Sequence, residues 1–314
     1  MSVVSELRRT TRSGPSGSSA RSPLRRGDGK AAAVFLAPWF LGLAVITIGP
    51  MLASAYLAFT DYSLLAPPQW VGLENFARLI EDARLHNALR VTFTYMVTGV
   101  PLQLAAALGL AMLLDRGMRG LAFYRSIFYL PSLLGGSVAI AILWRQLFGV
   151  EGLVNAFLGL FGIEGRGWVS DPDTALWTLV ILHVWTFGSP MIIFLAGLRQ
   201  IPEMYYEAAS IDGAGRVRQF FHITLPLLTP ILFFNLVLQV IGAFQSFTQA
   251  FVVSGGTGGP ADSTMFYTLY LYQKGFTDYD MGYASALAWL LVLIVAALTA
   301  INFLTSKFWV FYDD

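Results

Sequence analysis

The sequence contains no cysteine and little charge, since only 12% of its residues are Asp, Glu, Lys or Arg. The absence of cysteine excludes disulfides, thiolate metal sites and thiol nucleophiles. Soluble domains usually carry about 25% charged residues, so the shortage of charge indicates that much of the surface faces lipid. The net charge of +1 gives no indication of a nucleic-acid partner.

Hydrophobic residues make up 56% of the chain and are concentrated in six long stretches. A helix needs about 20 mainly apolar residues to cross a bilayer core of roughly 30 Å, and backbone groups in lipid must bond within their own segment. The sequence therefore predicts an all-α, polytopic membrane protein with six transmembrane helices. The predicted spans are residues 31–59, 91–114, 127–144, 176–198, 225–253 and 283–304, of which the third is slightly short.

Arginine and lysine are distributed unevenly between the predicted loops. They concentrate in the N-terminal tail, in the loops after spans two and four, and at the C-terminus. Basic residues favour the cytoplasmic side of a membrane, so we expect a multi-pass protein of the cell (plasma or inner) membrane with both termini in the cytoplasm. Residues 1–30 are rich in Ser, Gly and Arg, which predicts a disordered basic cytoplasmic tail before a transmembrane domain at residues 31–314.

Short helices are expected in the segments on the opposite side. Residues 73–80 have an amphipathic pattern, and apolar residues at helical spacing before Trp168 predict an interfacial helix in the second segment. The third segment, residues 254–280, begins with a glycine-rich turn. We expect its aromatic residues to anchor a helix end at the lipid headgroups; they are Phe266, Tyr267, Tyr270 and Tyr272.

The loop between spans four and five predicts a helix, a break and a second helix that enters the membrane. Pro202 suits the first helical position, and Glu203 beside it complements the helix dipole. Gly213 suits the end of this helix, where a residue without Cβ adopts positive φ. A second helical stretch begins near Arg216 and continues into span five at Leu225.

This loop resembles the EAA loop of ABC importer permeases. The matching residues are Glu207-Ala208-Ala209, then Gly213 after three residues, then Ile223-Thr224-Leu225-Pro226 after nine more. Other segments resemble the maltose-type carbohydrate permeases, among them residues 58–62, 71–76 and 124–131. The glycine-rich turn at residues 254–260 is slightly longer than in that family. The resemblance covers about residue 31 to the C-terminus and implies the type I ABC importer permease fold, with the EAA loop at about residues 199–226.

The resemblance also implies a function and partners. Such a permease pairs with a second, homologous permease, binds a dimeric ABC ATPase through the EAA helix, and receives a carbohydrate from an extracytoplasmic solute-binding protein. The residues implied in coupling to the ATPase are Glu203, Tyr206, Glu207, Ala208, Ala209, Asp212 and Gly213. Asp212 is also expected to cap this helix or to pair with Arg216.

The chain has no nucleotide-binding motif of its own. A P-loop needs a glycine-rich turn followed by Lys-Ser or Lys-Thr. The three lysines are followed by other residues, at Lys30-Ala31, Lys274-Gly275 and Lys307-Phe308. We therefore expect no catalytic residue, metal or cofactor in this chain, with ATP and Mg²⁺ bound by the partner ATPase subunits.

Polar residues on span five indicate where a solute would pass. At about 100° per residue, five of them lie within roughly 40° of one line along the helix. Polar side chains in a span tend to face a cavity or a partner helix, so the stripe either lines a pathway or contacts the second permease. The stripe consists of Asn235, Gln239, Gly242, Ser246 and Gln249, and Gln245 is a further pathway candidate.

Span four provides weaker candidates. His183, Thr186 and Ser189 lie three residues apart, a spacing that drifts around the helix. His183 either contacts the solute or is a neutral histidine bonded within the helix bundle. The aromatic candidates for stacking on a sugar ring are Trp185, Phe244 and Phe247.

Other function classes fit the sequence less well. An ion-coupled secondary transporter normally has carboxylates within the membrane, whereas Asp and Glu are confined here to loops and span ends. A membrane-embedded enzyme would need a cluster of His, Asp, Glu or Cys residues at depth. An ABC importer permease for a non-sugar solute such as glycerol phosphate remains an alternative.

Overall fold

The computed structural model describes residues 28–115 and 120–311, which divide into two units between Ala53 and Ser54. Helix α1 (Asp28–Gly42) of the first unit continues through a π-helical turn (Leu43–Ile48) into α2 (Gly49–Leu57), whose last four residues belong to the second unit. Most of the predicted disordered tail, residues 1–27, lies outside the described residues, and helix begins at Asp28 rather than after residue 30.

The second unit is helical apart from one small hairpin in its described part. Its strands are β1 (Thr60–Asp61) and β2 (Gln69–Trp70), which pair antiparallel. Its helices are α3 (Glu74–Glu81), α4 (Ala83–Asp115), α5 (Leu121–Leu134), α6 (Val138–Leu147), α7 (Leu153–Gly159), α8 (Pro172–Trp185), α9 (Gly188–Leu198), α10 (Glu203–Ile211), α11 (Arg216–Gln219), α12 (Leu225–Phe244), α13 (Thr248–Val253), α14 (Tyr267–Tyr272) and α15 (Met281–Ser306). A π-helical turn (Phe220–Thr224) joins α11 to α12.

Six segments of the described chain are long and apolar enough to cross a membrane. Four are continuous, at Ala33–Leu57, Ala83–Asp115, Arg216–Val253 and Met281–Ser306. The other two are bent pairs, α5 with α6 and α8 with α9. Counting each pair as one span confirms the six predicted spans, although several begin or end some residues away from the predicted bounds.

The third span is not the single helix that the sequence predicts. Helices α5 and α6 meet at an angle of 94° around Gly135 and Gly136. A Cβ on Gly135 would lie 2.2 Å from the Cγ2 of Thr186. The backbone at the bend therefore lies so close to span four that only glycine fits there. Ser137 then caps α6 by accepting a hydrogen bond of 3.3 Å from the backbone N–H of Ile140.

The fourth span bends by 41° between α8 and α9. The break falls at Thr186 and Phe187, before Pro190. Pro190 lies in the first turn of α9, where its missing N–H leaves no helical hydrogen bond unmade. The bend therefore places the end of α8 in the middle of the membrane-spanning region.

Helix α4 is the centre of the packing in the second unit, in contact with α8, α9 and α12. Ala107 and Ala111 on α4 are fully buried, as are Met191 and Phe194 on α9. Small residues let helix backbones approach closely in a membrane, where dispersion contacts rather than hydrophobic exclusion favour association. This close packing fixes the side of α4 on which the candidate site lies.

The segments outside the spans partly follow the sequence expectations. Helices α3 and α7 form at the predicted places. Three of the four aromatic residues of the third segment do not act as headgroup anchors, because Phe266, Tyr267 and Tyr270 are buried within the protein, whereas Tyr272 is half-buried. The Tyr267 hydroxyl donates to the Leu287 carbonyl at 2.7 Å, which explains how a buried tyrosine is satisfied there.

Candidate functional site

A cavity of about 230 Å³ lies among α4, the end of α8 and the line from α12 to α13. Its lining offers amide, hydroxyl and imidazole groups and no charged side chain. The lining residues are Tyr95, Leu182, His183, Thr186, Gln239, Gly242, Ser246 and Gln249.

Four of the five residues of the predicted polar stripe line this cavity, namely Gln239, Gly242, Ser246 and Gln249. Helix α12 ends at Phe244 and α13 begins at Thr248, yet the stripe continues across the break. The Gln249 amide also donates a hydrogen bond of 3.0 Å to the carbonyl of Gly135 at the bend of the third span. The stripe therefore lies along one cavity wall that is half-buried at Gln239, Ser246 and Gln249 and exposed at Gly242.

The fifth residue of the stripe lies elsewhere. Asn235 is 1% exposed, and its amide donates to the Ile231 carbonyl of the same helix at 3.1 Å. Gln245 is exposed at the break after α12, outside the cavity lining. The structure thus concentrates the candidate site in the C-terminal half of the fifth span.

Span four contributes two of its candidates to the cavity, His183 and Thr186, because both lie at the bend. Ser189 is exposed and lies beyond the lining residues. Its backbone N–H donates to the Ser132 hydroxyl at 2.9 Å and so joins α9 to α5.

The aromatic candidates are placed away from this cavity. Trp185 packs against Trp144 with ring centroids 5.9 Å apart, and Phe244 contacts Phe93 edge-on. Phe247 lies against Tyr272 with centroids 5.2 Å apart. The aromatic ring that does line the cavity is Tyr95, 5.2 Å from the His183 ring. Nothing in the sequence distinguishes Tyr95 as a candidate, since a single tyrosine on an apolar helix has no distinguishing pattern.

Hydrogen bonds behind the cavity hold its shape. The Gln103 amide on α4 donates to the carbonyls of His183 and Thr186, at 3.0 and 3.1 Å, and to the Thr186 hydroxyl at 3.0 Å. The Ser132 hydroxyl donates to the Thr186 carbonyl at 2.8 Å. These bonds satisfy the Thr186 carbonyl at the end of α8, whereas the His183 carbonyl also accepts from the N–H of Thr186 at 3.0 Å.

His183 retains unused hydrogen-bonding capacity. Its Nε2 is buried and has no hydrogen-bond partner among the described residues. Buried polar atoms normally have a partner, so this nitrogen, which lies beside Gly99 of α4, is an exception among the described residues.

The EAA region forms the predicted helix, break and second helix. Helix α10 is followed by Gly213 at φ 77°, a conformation that glycine adopts without strain, and α11 begins at Arg216. Pro202 lies immediately before α10 rather than in its first position. Asp212 ends α10, and it forms no ion pair with Arg216, although both residues are described.

Two contacts tie α10 to the start of the fifth span. The hydroxyls of Tyr206 and Thr224 lie 3.0 Å apart, and the Gln219 amide donates to the Ser210 hydroxyl at 2.9 Å. Glu203, Glu207, Ala208 and Gly213 are exposed, whereas Ala209 is half-buried. Met204 and Ile211 are 66% and 87% exposed, so the helix presents apolar as well as acidic groups to a partner.

A polar cluster at the other side of the membrane was not expected from the sequence. Asp82 caps α4 by accepting hydrogen bonds of 3.0 Å from the backbone N–H groups of Arg84 and Leu85. It also accepts hydrogen bonds from the hydroxyls of Tyr270 and Tyr283. Burial opposes ionisation of Asp82, but these hydrogen bonds outweigh it and hold its pKa below the usual value.

Comparison with known proteins agrees with this arrangement. The family described as "Binding-protein-dependent transport system inner membrane component" matches residues 117–308. The probable ABC transporter permease protein YesP of Bacillus subtilis (strain 168) is 51% identical over 291 residues, covering 92% of this chain and 94% of that protein. The lactose transport system permease protein LacF of Rhizobium radiobacter is 33% identical over 294 residues, covering 92% and 98%.

The fold is shared with a solved transporter. A bacterial alginate ABC transporter, in complex with an alginate pentasaccharide-bound periplasmic protein, superposes with a TM-score of 0.77 over 90% of this chain and 95% of that one, at 19% identity. This similarity confirms the type I permease fold that the EAA loop implies. The family match and the similarity to YesP show that this chain belongs to the inner membrane components of binding-protein-dependent transport systems.

Proposed function

We propose that this chain is the permease subunit of an ATP-driven ABC importer and that a carbohydrate passes through the cavity around Gln239. The observation that carries the proposal is the lining of that cavity, which combines amides, hydroxyls and an imidazole without any charged group. Amides and hydroxyls both donate and accept, which suits the hydroxyl groups of a sugar.

The relatives support the same class of solute. LacF is named for lactose, and the arabinooligosaccharides permease AraP of Bacillus subtilis (strain 168) is 30% identical over 275 residues. The sn-glycerol-3-phosphate permease UgpA of Salmonella choleraesuis (strain SC-B67) is 35% identical over 237 residues. A phosphate normally binds to Arg, Lys or a metal. Because no lining residue of the cavity is cationic, we favour a carbohydrate over a phosphate ester.

Transport requires partners in this proposal. Helix α10 binds a dimeric ABC ATPase through its exposed face, and the ATPase holds ATP and Mg²⁺, so this chain is a transport subunit rather than an enzyme. A second homologous permease completes the pathway, and an extracytoplasmic binding protein delivers the solute. The distribution of basic residues supports placing both termini and α10 on the cytoplasmic side.

An ion-coupled mechanism receives little support. In the described spans, acidic residues occur only at the ends, such as Asp115 and Asp173. A proton or sodium relay normally needs a carboxylate at depth. The energy source that fits this chain is therefore an external ATPase.

Uptake by the reconstituted complex tests the proposal. Proteoliposomes containing this chain, its second permease and the ATPase, supplied with binding protein, should import a labelled oligosaccharide only when ATP is present. Omitting the ATPase should abolish uptake while leaving the permeases inserted. Uptake driven by a proton or sodium gradient without the ATPase would contradict the proposal.

A further inference from the structure

A second cavity, of about 480 Å³, lies beyond the outer ends of α6 and α13. Its polar lining consists of Arg145, Ser170, Ser254 and Thr257, and no acidic side chain is among its lining residues. Arg145 is therefore the one charged side chain in this lining, in contrast to the neutral cavity around Gln239.

The guanidinium of Arg145 is uncommitted. It has no ion pair and no side-chain hydrogen bond within residues 28–115 and 120–311. Of the carboxylates within two residues of the lining in sequence, Glu151 is exposed and is not among the lining residues, whereas the other two are paired with other arginines. Asp171 lies 3.3 Å from Arg166, and Asp262 accepts two hydrogen bonds from Arg84 at 2.8 and 2.9 Å.

The hydroxyl groups add a single free donor. The Ser170 hydroxyl donates to the Gly167 carbonyl at 3.2 Å, and the Thr257 hydroxyl donates to the Ser254 carbonyl at 2.8 Å. Ser254 Oγ accepts from the Gly258 N–H at 3.3 Å, which leaves its proton available. The cavity thus offers a guanidinium and a hydroxyl proton, the donor set that an anion requires.

The two cavities lie near opposite ends of α13, which packs against α6. Gln249 near the start of α13 lines the neutral cavity, and Ser254 at its end lines the cationic one. Five residues of helix rise about 8 Å, so one oligosaccharide can reach both cavities.

We propose that the cavity at Arg145 binds the carboxylate of an acidic carbohydrate, such as a uronic acid unit, on its way to the neutral cavity. One guanidinium neutralises the single charge of one carboxylate and binds it through two parallel hydrogen bonds. A phosphate monoester carries a charge of about −1.5 to −2, which one guanidinium does not neutralise. This assignment of the solute class rests on the proposed function, since it takes the carbohydrate pathway as given.

The test compares a charged probe with its neutral counterpart. The assembled transporter in nanodiscs, without binding protein, is titrated by calorimetry with trigalacturonate and with the methyl ester of the same trisaccharide. We expect the acid to bind roughly tenfold more tightly, as for one charge-assisted pair, and the preference to weaken at high salt. Arg145→Gln should abolish the preference, Arg145→Lys should retain part of it, and the exposed-arginine control Arg90→Gln should retain all of it.

Three results would overturn the assignment. The wild-type transporter could bind the acid no more tightly than its methyl ester, or Arg145→Gln could keep the preference for the acid. In the third result, Arg145→Gln keeps that preference and also weakens docking of the solute-free binding protein. The last result would assign Arg145 to a carboxylate of the binding protein. ATP-driven uptake of a neutral oligosaccharide by the Arg145→Gln transporter, measured separately, distinguishes failure of this site from failure of the transport function.

Discussion

The hydroxyl of Tyr283 donates a hydrogen bond of 2.6 Å to the carboxylate of Asp82, which lies 201 residues earlier in the chain. Tyr283 is in the first turn of α15, and Asp82 caps α4, so this bond joins the starts of two membrane-spanning helices. Arg78 reinforces the junction through an ion pair of 2.7 Å with Asp280, the cap of α15. The end of the bundle at which α4 and α15 begin is thus held by polar contacts.

Replacing Asp82 with Ala should destabilise the protein. The change removes a helix cap, which typically contributes about 1 kcal/mol, and leaves the hydroxyls of Tyr270 and Tyr283 without their acceptor. We expect a loss of about 2–3 kcal/mol, measured as a lower midpoint of thermal unfolding in detergent. Glu81→Ala, at the exposed neighbouring position, serves as the control and should change the midpoint little. An unchanged midpoint for Asp82→Ala would show that the junction contributes no stability.

The same cluster predicts a dependence on pH. Because the pKa of Asp82 is lower in the folded protein than its usual value, its carboxylate stabilises the fold fully above the unfolded pKa of about 4. This stabilisation is lost as the pH falls through the lower, folded pKa. The unfolding midpoint should therefore drop more steeply below about pH 4 in the wild type than in Asp82→Asn. Parallel pH curves for the two proteins would contradict the assignment.

Changes in the EAA helix should uncouple the permease from its ATPase without affecting insertion. Glu207 is exposed on α10, so Glu207→Ala should reduce co-purification of the ATPase while the chain still reaches the membrane. Gly213→Val should be more damaging, because φ 77° is strained for a β-branched residue by about 1–2 kcal/mol. No atom lies within 4 Å of a Cβ built on Gly213, so backbone strain rather than crowding is the reason. Normal ATPase binding and uptake in both variants would refute this role.

Removing hydrogen-bonding groups from the cavity should weaken transport. Gln239→Leu and Ser246→Leu each remove a side chain that can form a hydrogen bond with the solute. A neutral hydrogen bond contributes about 1 kcal/mol, so we expect roughly a fivefold loss of apparent affinity. Leu238→Ala, at an exposed position on the same helix, is the control. Uptake is measured only for complexes that retain the second permease and hydrolyse ATP. Loss of the second permease from the leucine variants would identify the stripe as an assembly surface instead.

Local patterns in the sequence identify much of this architecture. The lengths of the apolar stretches predict six spans, and the order of Pro202, the alanines and Gly213 predicts the EAA helix and its end. Helical periodicity brings Gln239, Ser246 and Gln249 to one line, and the structure places all three in one cavity. These features depend on residues that are near neighbours in sequence.

Features that depend on packing between distant segments are not visible in the sequence. The 94° bend at Gly135 follows from the approach of Thr186, and a glycine pair in an apolar stretch is equally compatible with a straight helix. Asn235 satisfies the same periodicity as Gln239, yet packing against neighbouring helices buries it. The acceptor role of Asp82 depends on tyrosines about 190 to 200 residues away.

The position of a bound solute tests the central claim most directly. Cryo-electron microscopy of the assembled transporter, arrested with an inactive ATPase and saturated with an imported oligosaccharide, would locate that solute. The claim that the cavity is the carbohydrate pathway predicts sugar density within hydrogen-bonding distance of Gln239, Ser246 and His183. Density elsewhere, with a helix of the second permease filling this cavity, would contradict it.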